Sequence, residues 1–302
     1  MGLDNAATPL GIKAMKDLQT LNPSPDTASN AQILFLVLNT SSVTLFPVTI
    51  LLYRAQLGSS DPASVFIPIL IATCCSTAVG LLVTAWVQRI KLWDTLILSC
   101  LLSVFAILFA LVGWLSTLTA SELQRQSSLI SNLSIFSLVI LFLVVAHRRK
   151  VNVYERFVDG AKQGFETAIG IIPYLLAMLV AIGVFRAAGA LDIVMEGLRS
   201  LVASFGWDTR WVDTMPTALM KPLSGSGARA MMIDTMNTFG VDSFQGRLAA
   251  TMQGSTETTF YVLAVYFGSV GIKHTRHAVL CGLSADFAGI IAAIALAYWF
   301  YG

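Results

Sequence analysis

Charge is what this chain has least of. Only 12% of its 302 residues are Asp, Glu, Lys or Arg, against about 25% in a typical soluble domain. A water-facing surface of ordinary composition is therefore excluded, whereas a lipid-facing one needs no charge. Cysteine is scarce too. Cys74, Cys75, Cys100 and Cys281 all sit inside apolar stretches, which excludes a disulfide framework and reads as burial of small residues. The three histidines fall in loops with no zinc-like spacing, so neither a metal nor a cofactor is expected. No G-x-x-x-x-G-K-[ST] loop is present. No nucleophile–base pair stands out, so an enzyme is not expected. Residues 1–30 hold no apolar core, so no cleavable signal peptide is read there. A net charge of +2 gives no reason to expect a nucleic-acid partner.

What is present is apolar and long. Hydrophobic residues make up 56% of the chain and mean hydropathy is +0.74. Crossing the bilayer takes about 20 residues of helix, and stretches 33–53, 65–87, 95–118, 129–146, 168–185, 248–267 and 278–301 qualify. Residues 211–227, broken by Pro216, Pro222 and a Ser-Gly repeat, read as a re-entrant hairpin, because irregular backbone is tolerated only where protein or water covers it. Residues 153–167 carry Tyr154, Phe157, Val158, Ala161 and Phe165 on one helical face, opposite Glu155, Arg156, Lys162 and Gln163. This predicts an interfacial helix, and residues 193–205 predict another.

Basic residues orient the spans. Arg89 and Lys91 follow the second stretch, and His147, Arg148, Arg149 and Lys150 follow the fourth, so both ends face the cytoplasm. Counting from there puts loop 56–64, which has no Lys or Arg, outside. Loop 273–277, Lys-His-Thr-Arg-His, falls inside.

Two halves share an order of unusual elements. Asn5-Ala6-Ala7-Thr8-Pro9-Leu10-Gly11 opens one amphipathic stretch, and Ser224-Gly225-Ser226-Gly227 opens another. Asn39-Thr40-Ser41-Ser42-Val43-Thr44-Leu45-Phe46 then aligns with Gln253-Gly254-Ser255-Thr256-Glu257-Thr258-Thr259-Phe260, and Gly80 falls opposite Gly289. The following loops differ in basic charge, so the copies are inverted. Stretch 95–118 has no counterpart and supplies the odd crossing that such a fusion needs. The expected fold is an all-α polytopic membrane protein, an inverted-topology repeat with broken helices and a re-entrant hairpin. Its divisions are 1–90, a connecting 91–127, and 128–302.

Both aligned segments put consecutive polar groups halfway along a span, where polarity is costly unless each group finds a partner or a water-filled cavity. Unwound segments in inverted-repeat transporters face the substrate in this way. The candidate solute-binding residues are Asn5, Thr8, Asn39, Thr40, Ser41, Ser42, Ser224, Ser226, Gln253, Ser255, Thr256, Glu257 and Thr258. Glu257 and Asp286 are candidates for ion or proton coupling, with Thr77 opposite Asp286 in the other half. The N–H groups at the two helix starts could hold an anion or a polar ligand atom. Lys221 and Arg229 flank the second start and would favour an anion, although such side chains more often snorkel to headgroups.

The same residues resemble a known family. The opening motif through Lys13-Ala14-Met15 looks like spore maturation protein A. Tyr154-Glu155-Arg156-Phe157-Val158-Asp159-Gly160, Ile172-Pro173-Tyr174-Leu175, Val184-Phe185-Arg186-Ala187 and residues 252–261 look like spore maturation protein B. The resemblance implies a fusion of the two, carrying the nucleoside-recognition or Gate domain. That domain is similar to domains of concentrative nucleoside transporters and of ferrous iron transport protein B. It also implies that a span, an interfacial helix and a further span would precede Asn5 in a complete first copy. The expectation is a multi-pass protein of the bacterial inner membrane moving a small polar solute, nucleoside-like, an anion or an ion. The alternative is a non-transporting envelope scaffold. The bilayer is the expected partner, and a homo-oligomer is compatible with it.

Overall fold

The structure, a computed structural model, describes residues 8–90, 106, 110, 112–115 and 117–302. Asn5 and two thirds of the predicted span 95–118 lie outside the described residues. The described chain is helical, with helices α1 (Thr8–Thr20), α2 (Asn30–Thr40), α3 (Val48–Gln56), α4 (Phe66–Gln88), α5 (Ala120–Arg148), α6 (Val153–Ala187) and α7 (Ala190–Ser204). After these come α8 (Met215–Met220), α9 (Gly225–Phe239), α10 (Phe244–Gly254), α11 (Thr259–Gly268) and α12 (Ala278–Tyr301). Together with its long apolar helices, this makes the protein an all-α polytopic membrane protein.

The predicted spans 33–53 and 248–267 are each two helices with a break between them. Ser29 and Gln32 open α2 with a reciprocal capping box. Near its end the Asn39 amide donates to the Phe35 carbonyl at 2.7 Å and the Ser41 hydroxyl to the Val37 carbonyl at 2.8 Å. Such side chains compete with the backbone ladder and favour an ending. The chain restarts only after Pro47, which has no N–H to give. The second copy repeats the device: α10 starts on Ser243, and the Ser255 hydroxyl turns back onto the Met252 carbonyl at 2.9 Å. Four residues later α11 begins.

The long partners of these pairs, α4 and α12, cross at the centre of the fold. A Cβ at Gly80 would lie 3.0 Å from the Ala285 Cβ, and one at Gly289 would lie 3.3 Å from the Ser76 Cβ. Position numbers rise along one helix as they fall along the other, so equivalent helices of the two halves run antiparallel. Small residues permit this approach, and the Ser76 hydroxyl seals it on the Ala285 carbonyl at 2.9 Å.

Around that crossing the halves exchange helices. One buried cluster joins Met15 of α1 and Ile33, Leu36 and Val37 of α2 to Val262, Leu263 and Tyr266 of α11. Its counterpart joins Met232 and Met236 of α9 and Ala249 and Ala250 of α10 to Ile50 and Leu51 of α3. Each half thus lends its post-break helix to the core of the other. Loops follow the same rule. At one end Lys273 N–H donates to the Asp26 carbonyl at 2.8 Å and Arg276 to the Ala28 carbonyl at 3.0 Å. At the other, fully buried Arg54 pairs with Asp242 at 2.8 Å and donates to the Val241 carbonyl at 2.8 Å. Burial works against the charged form of Asp242. Hydrogen bonds from Ser59 and Ser60, with the Arg54 charge, outweigh it and hold the carboxyl below the ordinary carboxylate range.

The predicted hairpin over 211–227 is a helical descent (Val212–Thr214, then α8), a turn, and the return in α9. One expectation needs correcting. The interfacial helix 153–167 and the span 168–185 are a single helix, Val153–Ala187, because Glu166-Thr167-Ala168 at the junction holds no helix-stopping residue. Outside the core, α5 buries only 6% of its most apolar window, against 56% for the helix ending at Gln88. The first therefore presents a lipid-facing surface, and the second forms the centre.

Candidate functional site

The two breaks meet. Glu257 N–H donates to the Thr40 carbonyl at 2.8 Å, joining the second break to the end of α2. Thr44 N–H donates to the Thr73 hydroxyl at 3.3 Å, and Thr77 donates to the Ser41 carbonyl. In the other half Thr259 donates to Asp286 Oδ2 at 2.6 Å. Thr77 and Asp286, aligned by sequence, therefore hold equivalent places, each bonded from the central helix to its own half's break or break edge. The hairpin tip completes the junction: Phe260 N–H donates to the Pro222 carbonyl at 3.0 Å. A Cβ at Gly225 would lie 2.9 Å from the Thr258 hydroxyl, so glycine is what lets α9 start against the break.

A pocket of about 390 Å³, counted to its open mouth, lies here. Its polar lining is Thr44, Thr49, Tyr53, Lys221, Arg229, Gln253, Thr256 and Glu257. Around it Thr40 Oγ1 and Gln253 Oε1 are buried without a hydrogen-bond partner, and the Thr256 hydroxyl stands beside the Asp286 carboxyl. Unmet polar atoms at a membrane protein's centre are costly unless water or a ligand meets them.

The candidate residues divide. Gln253, Thr256 and Glu257 line the pocket. Thr40, Ser41, Ser255 and Thr258 are buried around it, with the Ser41 and Ser255 hydroxyls returned to their own helices. Ser42 is half-buried in the first break. Ser224 caps α9 by accepting from Gly227 N–H at 3.1 Å, and Ser226 lies 3.3 Å from the Ser224 hydroxyl, so both serve the hairpin tip. Asn39 turns elsewhere, accepting from the Tyr266 hydroxyl at 3.4 Å. Thr8 opens α1 and is not among the pocket residues. Asp286 is 1% exposed, too deep to reach interfacial water. Lys221 and Arg229 are the residues that sequence reasoning undervalued. Both are buried, at 4% and 6% exposure, and both line the pocket instead of snorkelling. The Arg229 guanidinium stands 5.8 Å from the Tyr53 ring centroid. The available signal was their position beside the Ser-Gly hairpin tip.

Residues 168–273 match the family model for nucleoside recognition, Gate. The chain is 49% identical over 154 residues to spore maturation protein B of Bacillus subtilis (strain 168), a match covering 51% of this chain and 85% of that protein. The chain belongs to the spore maturation protein family. It is also 45% identical over 75 residues to spore maturation protein A of the same organism, covering 25% of this chain and 38% of that protein. The two matches agree with a fused A/B-like member, and the Gate match contains the hairpin, α9, α10, the second break and α11. No solved structure matches. Within this family member, the matched Gate segment supplies Lys221, Arg229, Gln253, Thr256 and Glu257, and the first half closes the pocket with Thr44, Thr49 and Tyr53.

Proposed function

We propose that this protein is an inner-membrane permease that binds a small polar solute between its two broken helices and moves it by alternating access of the inverted halves. The observation that carries this is the meeting of both breaks and the hairpin tip at one pocket, with unpartnered buried oxygens around it. In this reading Gln253, Thr256 and Glu257 contact the solute, while Thr40, Ser41, Ser42, Ser255 and Thr258 shape the breaks. Glu257 and Asp286 are the groups that couple a cation or proton, because an ionisable residue at this depth is expensive to keep without a task. The functional division is 1–90 as the A-like repeat, 91–127 as the connector and 128–302 as the B-like repeat. The family relationship favours a transporter-like or scaffold protein over an enzyme.

Uptake into proteoliposomes, screened over nucleosides, small organic anions and metal ions, tests the proposal. Wild type is expected to accumulate at least one class, and Glu257→Gln to lose most of that uptake while reconstituting normally. If wild type moves nothing in the whole panel, the permease reading is refuted and an envelope scaffold takes its place.

A further inference from the structure

Lys221 lies in the turn that closes the hairpin, is 4% exposed and lines the pocket. Its backbone N–H donates to the Thr217 carbonyl at 3.1 Å, and among the described residues its ammonium makes no hydrogen bond or ion pair. Glu257 shares the pocket and Asp286 lies within its electrostatic reach. A largely buried ammonium whose outlet is this pocket is costly to keep, and an anion there would offset the cost. The same turn leads directly into α9, 15 residues long, whose start packs against the break at Thr258. Arg229, one turn further along α9, adds a second cation to the lining.

Resting on the permease reading above, we infer that the solute is an anion, bearing carboxylate or phosphate oxygens that bind Lys221, with Arg229 beside it in the lining. An ammonium gives such oxygens charge-assisted hydrogen bonds, which are about twice as strong as neutral ones. A neutral nucleoside would leave Lys221 buried and unmet. Gln253, Thr256 and Thr44 would then meet the uncharged part of the solute.

The test uses the purified full chain in nanodiscs of zwitterionic lipid, with thermal unfolding and equilibrium binding read against inorganic phosphate, succinate and uridine. Phosphate or succinate is expected to bind saturably and raise the unfolding midpoint, and uridine to do neither. Lys221→Met is expected to weaken anion binding about tenfold or more, and Lys221→Arg to keep most of it, as a charge-assisted bond predicts. Binding of uridine that Lys221→Met leaves unchanged would overturn the anion inference while sparing the permease. Stabilisation by phosphatidylglycerol in the disc but not by free anions would overturn it in favour of a headgroup site. Absence of binding by all probes, together with absence of uptake, would remove the permease reading itself. Because the anion-against-uridine comparison is made on wild type, failure of Lys221→Met to fold leaves the inference decidable.

Discussion

Adding one methyl group at Gly289 tests the central crossing directly. A Cβ there would stand 2.6 Å from Thr256 Cγ2, 3.1 Å from the Ser255 carbonyl oxygen and 3.3 Å from the Ser76 Cβ. The Thr256 methyl could rotate away, but the Ser255 carbonyl belongs to the backbone of the break and Ser76 to the facing helix. Alanine must therefore push α12 off α4 or displace the break itself. Overpacking of this kind costs about 1–3 kcal/mol. The intrinsic gain of alanine over glycine in a helix returns up to about 1 kcal/mol, so the net loss is at the lower end, about 1–2 kcal/mol. At about 2–4 °C per kcal/mol in a sizeable chain, the unfolding midpoint in detergent should fall by roughly 2–8 °C. Gly80→Ala, which meets Ala285 Cβ and Val37 Cγ1 at 3.0 Å, should fall similarly, and pairing it with Ala285→Gly should recover part of the loss. Gly197→Ala in α7 meets nothing within 4 Å, so it should be neutral or slightly stabilising. If Gly289→Ala and Gly80→Ala behave like Gly197→Ala, the antiparallel close packing of α4 on α12 is wrong.

Asp242 should set an acid limit on stability. Its carboxyl is held below the ordinary range, so the unfolded chain takes up the proton first as pH falls. The contribution is therefore complete above about pH 4 and lost on descending through the folded-state value. Asp242→Asn should flatten this acid limb in unfolding midpoints followed from pH 7 to pH 3, and an unchanged slope would deny the Arg54 pairing its role. Opposed halves make a second, topological prediction. In a variant stripped of its native cysteines, single cysteines in loops 56–64 and 273–277 should be labelled from opposite sides of the membrane. Labelling of both from one side would contradict the inversion.

Why parts of this architecture were readable is a matter of locality. The breaks announce themselves because Asn39 to Thr44 and Gln253 to Thr259 place consecutive polar groups inside otherwise apolar spans. Small side chains that bond back to i−3 or i−4 carbonyls are a local cause with a local effect. The hairpin was legible from Pro216, Pro222 and the Ser-Gly repeat for the same reason. The alignment of Gly80 with Gly289 became a reciprocal contact, since each glycine serves one side of the same crossing. The exchange of α3 and α11 between the two cores has no local sign, because Ile50 and Val262 are equally apolar whichever half receives them. Lys221 and Arg229 were ambiguous because a lysine beside a membrane span has the same sequence context whether it snorkels or turns inward. Only packing chose between the two. The continuity of α6 escaped because a change from amphipathic to apolar composition marks a change of environment, which a straight helix can make without a turn.

The pseudo-symmetry also explains why the site is one-sided. The pocket lining runs from Thr44 at the first break along α3 to Tyr53, toward the loop that carries no Lys or Arg. A matching space would run along α11 toward the basic loop 273–277. There Tyr266 occupies the room: its hydroxyl would stand 2.3 Å from a Cβ at Gly11 and reaches Asn39 at 3.4 Å, and its ring packs on Phe35 with centroids 5.8 Å apart. One copy of the repeat is thus open beside its break and the other is filled. Two inverted halves with one vestibule open and its equivalent plugged are what alternating access requires of an end state. The positive-inside expectation assigns the open side to the outside. On the permease reading, the opposite state would draw Tyr266 away from Gly11 and Asn39 while α3 closes on α9. In the present state it is the Tyr266 ring that requires glycine at position 11.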